Sequence, residues 1–272
     1  MIPARQVVGR ILRVSGLLSA TDKLRYFASI ARLQRRNRKF VSANPGFRLP
    51  PKALAFDAYS APDWAFYKRS GLETAAFLSE ISRKYLVAVP EINVFEWGCG
   101  PARVIRHLPT AFGADAQIYG SDFNEATIAW CRDTIPRVTF VRNALRPDPP
   151  LPFERDFFDF IYSISVFTHL SESTSQRWIL ELHRVARPGG VLVITTNGDS
   201  LQYKMLPDEL RSYRTSGIVI RGKIREGKKM FSACHSPRYL REILFKDFDV
   251  MEHVPGAFPH TAQDFWVLRK RS

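Results

Sequence analysis

Cysteine is scarce in this chain, with three in 272 residues: Cys99, Cys131 and Cys234. They form no C-x-x-C pair and no cluster with histidines, which argues against a disulfide framework and a metal site. Sparse, unpaired cysteines fit a reducing compartment, and each reads as a small buried apolar side chain. The sequence also lacks any run of about 18 apolar residues, so no transmembrane helix is expected. Arginines interrupt the apolar stretch near the start, so a secretory signal is not expected. An Arg-rich, acid-poor start also matches an organelle transit peptide, and that alternative stays open. No internal repeat or low-complexity block is present.

Acids are nearly missing from one region. Residues 1–48 hold eleven Lys or Arg against the single acid Asp22, so most of the net charge of +14 sits there. The rest of the chain is only mildly basic, and the asymmetry calls for a local explanation. Val7, Ile11, Val14 and Leu18 fall on one helical face, with Arg10 and Arg13 away from it. "SATD" at 19–22 reads as a break, with Thr21 capping a second helix through about Leu33. Such a basic amphipathic segment either lies on an anionic membrane surface or packs on the body with its charged face in water. The expected organisation is a basic helical extension at 1–40, a Pro-rich connector at 41–65 and a catalytic-looking body at 66–272.

The body alternates helical and strand patterns. A helix fits Leu72–Leu86, a strand 92–96, a helix Pro101–Leu108, and a strand "AQIYGSDF". The helix "NEATIAWCRDT", the strands "VTFVRN" and "DFIYSISV", the helix "ESTSQRWILELHRVA" and the strand "GGVLVITT" follow. This βαβα order predicts an α/β, doubly wound, mostly parallel sheet. Ligands of such sheets bind beyond the carboxyl ends of the strands, at the switch point. The stretch "VFEWGCGPARVIRHL" at 94–108 lies there. Gly98 and Gly100 sit between strand and helix, where backbone can approach a ligand without a Cβ in the way. The dinucleotide pattern G-x-G-x-x-G fails, because Arg103 stands at its third glycine. The spacing that fits is E-x-G-x-G-x-A, through Glu96, Gly98, Gly100 and Ala102.

With these elements in order, residues 66–270 resemble the class I S-adenosylmethionine-dependent methyltransferases. "FEWGCGPA" is similar to the glycine-rich first motif, with Ala102 in place of the usual third glycine. "YGSDFN" and "VRNAL" resemble the second and third strand ends. "FDFIYSISVFTHL" resembles the fourth strand, "RVARPGGVLVITT" the fifth, and "QDFWVLRK" the last. The resemblance implies a Rossmann-like methyltransferase fold with seven strands, the last antiparallel, and S-adenosylmethionine as cofactor. It implies a cofactor site from Glu96, Gly98, Cys99, Gly100, Asp122, Phe123, Asn143, Ala144, Ser163 and Ile164. Asp122 would hold the ribose hydroxyls, since one carboxylate accepts two hydrogen bonds. Glu96 would sit near the cationic end, the backbone amides of Gly98–Gly100 would face the ligand, Phe123 would lie against the adenine, and Asn143 would face its amino group. The alternative for Asp122 is a helix N-cap, and for Asn143 a turn residue.

Methyl transfer needs alignment of an acceptor, exclusion of water and, for a hydroxyl, removal of a proton. His169 and His235 are the candidate bases, each with a structural alternative. His253 and His260 flank "VPGAFP" and are expected at the surface, and Asp264 is expected to be structural. The fourth strand exit lacks the Asn/Asp-Pro-Pro-aromatic run of amino-methylating DNA enzymes. Residues 197–234 read as a lid insertion, and within its stretch "GIVIRGKIREGKKMF" Arg221, Lys223, Arg225, Lys228 and Lys229 face one acid, Glu226. A basic lid favours an anionic acceptor, such as a phosphorylated or nucleotide-linked sugar, or touches lipid head groups. The expected acceptor is a small molecule methylated on a hydroxyl. The expected location is cytoplasmic, with peripheral contact at the inner membrane face. Nucleic acid is disfavoured, because the basic arm has few aromatics for stacking. An RNA methyltransferase and a non-catalytic protein that kept the fold remain the alternatives.

Overall fold

The computed structural model describes residues 18–87, 90–221 and 225–271. The N-terminal helix read around Val7–Leu18 lies almost wholly outside them, as does Lys223 of the lid. Three helices come first: α1 (Leu18–Ala43), α2 (Lys52–Tyr59) and α3 (Trp64–Tyr85). The expected break at 19–22 does not occur. The inward stripe of α1 continues through Ser29, Leu33 and Asn37, all buried, and one helix runs on to Ala43. Residues 52–59, weakly periodic in sequence, are helical because Ala55 and Phe56 bury. Asp63 caps α3 by accepting from the Phe66 amide, and Ala75, Leu78 and Ile81 form its buried stripe.

The sheet comprises β1 (Asn93–Trp97), β2 (Gln117–Asp122), β3 (Thr139–Arg142), β4 (Phe158–Ser163), β5 (Ala186–Thr196), β8 (Phe248–Val254) and β9 (Asp264–Lys270). Its order is β3-β2-β1-β4-β5-β9-β8. The first five are mutually parallel. β9, last in the chain, runs antiparallel between β5 and β8, so the expected seven-stranded sheet with an antiparallel last strand is present. Helices α4 (Glu125–Thr134) and α5 (Glu172–Val185) connect the parallel strands and start at Asn124 and Ser171, whose side chains accept helix amides. Side chains alternate across each strand. Phe95 and Trp97 enter a core with Trp178, Leu182 and Trp266 on one face, while Val94 enters a core with Ile105, Ile118 and Phe265 on the other. Burial on both faces explains why β4 and β5 read as continuous apolar runs. Within the lid stretch, helix α6 (Pro207–Thr215) precedes an antiparallel pair, β6 (Ile218–Arg221) and β7 (Ser232–His235).

No helix begins at Pro101. Ala102 holds a left-handed backbone (φ 55°), so the chain turns first, and only a short 3-10 turn at Ile105–His107 and a short helix at Leu108–Ala111 follow. Helix α3 lies directly on that turn: a Cβ on Gly71 would stand 2.0 Å from the Arg103 carbonyl oxygen. The order reverses between β1 and β4, and the site opens there.

Candidate active site

The strand ends surround a cavity of about 310 Å³, within the usual range for small-ligand pockets. Glu96, Gly98, Cys99, Gly100, Asp122, Phe123, Asn143, Ile164 and His169 all line it. Ser163, Ala144 and His235 do not. Ser163 is fully buried at the end of β4, and Ala144 offers only its carbonyl, to the Asn143 amide group. His235 is fully buried in β7, against the Tyr239 ring. Burial pushes its pKa down to about 4, so it is a neutral packed ring away from the cavity.

The acids stand at the ends of adjacent strands. Asp122 accepts from the Gly100 amide through Oδ2 (3.0 Å) and from the Asn124 amide through Oδ1 (2.8 Å). It is not the helix cap; Asn124 is. Each carboxylate oxygen keeps a further lone pair for a diol. Burial raises the Asp122 pKa, opposed by those two amide bonds. Glu96 is buried and accepts from Tyr162 Oη at 2.7 Å. Burial pushes its pKa up to about 8, against the pull of Tyr162 and of the nearby Arg103. A cationic ligand group beside it would reverse that shift.

The glycine turn works differently from the expectation. The amides of Gly98 and Cys99 both donate to the Ser121 carbonyl (2.8 Å each), and that of Gly100 to Asp122. These bonds tie β1 to β2, so the three amides are already partnered and do not face a ligand as donors. What the turn supplies is room. Gly98 is left-handed (φ 79°), and a Cβ there would stand 2.2 Å from Val166 Cγ2.

His169 follows β4. Its Nδ1 lies 2.7 Å from the Phe231 carbonyl oxygen. A carbonyl only accepts, so Nδ1 carries the proton. Burial lowers the pKa and keeps the ring neutral, which leaves Nε2 as a proton acceptor. Asn143 Oδ1 and Tyr59 Oη are buried without a hydrogen-bond partner, and both residues line the cavity. Orphaned polar groups facing a cavity fit a polar ligand there.

Sequence reasoning missed three contributors. Arg103, noted only as a failed glycine, is buried and lines the cavity; its Nη1 donates to Ser70 Oγ at 3.1 Å, and its guanidinium lies 5.4 Å from the Tyr59 ring centroid. His260 is exposed, as expected, and also lines the cavity in a left-handed conformation (φ 63°), with Nε2 2.8 Å from Glu73 Oε2. Helix α2 supplies Leu54, Asp57, Ala58 and Tyr59. His253 and Asp264, by contrast, are structural: they pair at 3.1 Å, and His253 stacks on Trp266.

The family described as methyltransferase domain matches residues 94–190, which span the glycine turn, both acids and His169. Residues 94–190 therefore carry a methyltransferase domain. A probable S-adenosylmethionine-dependent methyltransferase of Mycolicibacterium smegmatis is 32% identical over 110 residues, 38% of this chain and 37% of that protein. A tRNA (carboxymethyluridine(34)-5-O)-methyltransferase of Arabidopsis thaliana is 33% identical over 113 residues, 41% of this chain and 26% of that protein. The chain thus spans about a third of the length of these curated relatives. Among solved structures, the 1,6-didemethyltoxoflavin-N1-methyltransferase of Burkholderia thailandensis, with S-adenosylhomocysteine bound, superposes with a TM-score of 0.51 at 13% identity, over 75% of this chain and 80% of that one. That likeness is one of fold. Among the described residues, no helix is long and apolar enough to cross a membrane, and no group of three His, Cys, Asp or Glu is placed to hold a metal ion.

Proposed function

We propose that the protein is an S-adenosylmethionine-dependent methyltransferase acting on a hydroxyl of a small, sugar-containing or other polar metabolite. The observation that carries the reading is the pair of acids, buried Glu96 and half-buried Asp122, flanking the Gly98 turn on one cavity. When bound, the cofactor supplies a methyl group on a sulfonium, already activated for in-line displacement. Asp122 then accepts from the ribose diol through its spare lone pairs. Glu96 ionises beside the cationic end. Phe123 and Asn143, which line the same end of the sheet, suit the adenine. Arg103 is the cation available to the carboxylate. His169, held as its Nδ1–H tautomer by Phe231, takes the acceptor proton on Nε2. His260, oriented by Glu73, is the second candidate for that role.

An RNA acceptor is the competing reading. Its support is the name of the Arabidopsis relative and the basic helix α1. Steeply salt-dependent tRNA binding would favour it.

The test is calorimetric titration with S-adenosylmethionine and S-adenosylhomocysteine. Wild type is expected to bind in the micromolar range, with Asp122→Ala weaker by about 30-fold or more, as a lost pair of charge-assisted hydrogen bonds predicts. No binding by folded wild type would overturn the cofactor reading. Unchanged binding by Asp122→Ala would remove Asp122 as the ribose ligand.

A further inference from the structure

Helix α1 carries seven Lys or Arg and one acid, Asp22. That acid is engaged inside the molecule, with Oδ2 3.0 Å from Lys229 Nζ. Arg36 pairs with Asp63 at 3.0 Å. The other six, Lys23, Arg25, Arg32, Arg35, Arg38 and Lys39, are exposed, and none forms an ion pair among the described residues. Two large apolar side chains stand out among them: Leu24 is 71% and Phe27 66% exposed. At 100° per residue, Leu24, Phe27, Ala28 and Ala31 share the outward face with Arg35 and Arg38, opposite the buried Ser29, Leu33 and Asn37. The outward face is therefore apolar over its first half and basic over its second. Leu24 and Phe27 thus stand exposed beside six cations that are unpaired among the described residues.

We propose that this face of α1 docks on an anionic lipid bilayer, with Leu24 and Phe27 entering the head-group boundary and the basic half meeting lipid phosphates. Charge complementarity selects an anionic partner, and the apolar half selects lipid over nucleic acid. A phosphate backbone offers nothing to Leu24, and the face presents one aromatic where base stacking needs several. The inference goes beyond methyl transfer and stands whatever the acceptor is.

The test is co-sedimentation of the full chain with vesicles of phosphatidylcholine alone and with about 30 mol% phosphatidylglycerol, in low and raised salt. Wild type is expected to bind the anionic vesicles at least about tenfold more strongly, and less in high salt. Leu24→Glu/Phe27→Glu and Arg35→Glu/Arg38→Glu are each expected to lower binding about fivefold or more, with melting temperatures unchanged because all four side chains are exposed. Leu180→Glu, at another exposed apolar side chain on α5, is expected to bind as wild type. Equal binding to both vesicles, or wild-type binding by both α1 variants, overturns the proposal. So does tRNA binding that the α1 variants lose while vesicles are ignored.

Discussion

One wall of the cavity is made by strand ends: Glu96 to Gly100 at the end of β1, Asp122 and Phe123 at the end of β2, and Ile164 after β4. Its shape is held by backbone, through the paired amides of Gly98 and Cys99 on the Ser121 carbonyl. The facing wall comes from segments far apart in the chain: α2, Phe66 of α3, Gly227 and Lys229 between β6 and β7, and His260. Side chains hold that wall in place. Lys229 lies 3.0 Å from Asp22, 3.2 Å from the Phe56 carbonyl and 3.4 Å from the Phe56 ring centroid. Lys228 reaches Asp57 at 3.4 Å, and the Gly227 amide donates to the His169 carbonyl. A wall built from sheet backbone cannot yield without breaking the fold, whereas one pinned by a few side chains can part. That division suits a fixed cofactor on one side and a variable acceptor on the other.

The sharpest way to break the comparison is to damage each wall by one side chain. Gly98→Ala places a Cβ against Val166 in a left-handed backbone, and cofactor affinity is expected to fall about 100-fold or more by calorimetry. Lys229→Ala removes an ion pair and a cation–π contact from the other wall. It is expected to cost about 1–2 kcal/mol in urea unfolding, to speed proteolysis between residues 225 and 231, and to change cofactor affinity by less than about threefold. If both variants lose cofactor binding equally, the two walls act as one and the division fails.

A smaller effect separates the walls by pH. Glu96 titrates near 8 in the folded protein, raised by burial from 4.5. A raised folded-state pKa stabilises below the unfolded value, and that contribution is lost as pH rises. Wild type is therefore expected to lose stability relative to Glu96→Gln between about pH 4.5 and 8. His107 and His235, each pushed down to about 4 by burial, act in the opposite sense: their contribution is present above 6.5 and lost as pH falls towards 4. They are common to both proteins and cancel in the difference. On the proposed reading, cofactor binding near pH 7 also releases protons from Glu96, seen as a binding enthalpy that depends on the buffer.

The strand-end wall was legible in the sequence because its chemistry is local. An acid ending a strand, two glycines in the turn, and a second acid one βα unit later are neighbours by construction of the fold. The pairing of the turn amides leaves no local signal, because their partners, the Ser121 carbonyl and the Asp122 carboxylate, belong to a different strand. The facing wall left little local signal. Residues 52–59 become a helix through burial of Ala55 beside Trp64 and Tyr67 and of Phe56 against the Tyr26 ring, contacts that periodicity does not report. His260 reaches the cavity through a left-handed backbone that its sequence does not announce. His235 sits at a helix start that reads as a site edge, yet β7 carries its ring into the interior.

The smallest expected effect tests why the strand-end wall tolerates an alanine in a left-handed backbone at position 102. Ala102 is fully buried with φ 55°. A left-handed alanine costs about 1–2 kcal/mol. Against that, glycine would add unfolded-state entropy worth about 0.4–1 kcal/mol, and removing the methyl would lose about 0.8 kcal/mol of apolar burial. The terms nearly cancel, so Ala102→Gly is expected to shift the urea midpoint by less than about 1 kcal/mol in stability, with the slope unchanged, and to leave cofactor affinity within about twofold. A stabilisation well above 1 kcal/mol would mean that the turn stores strain, and the strand-end wall would then be less rigid than its backbone bonds imply.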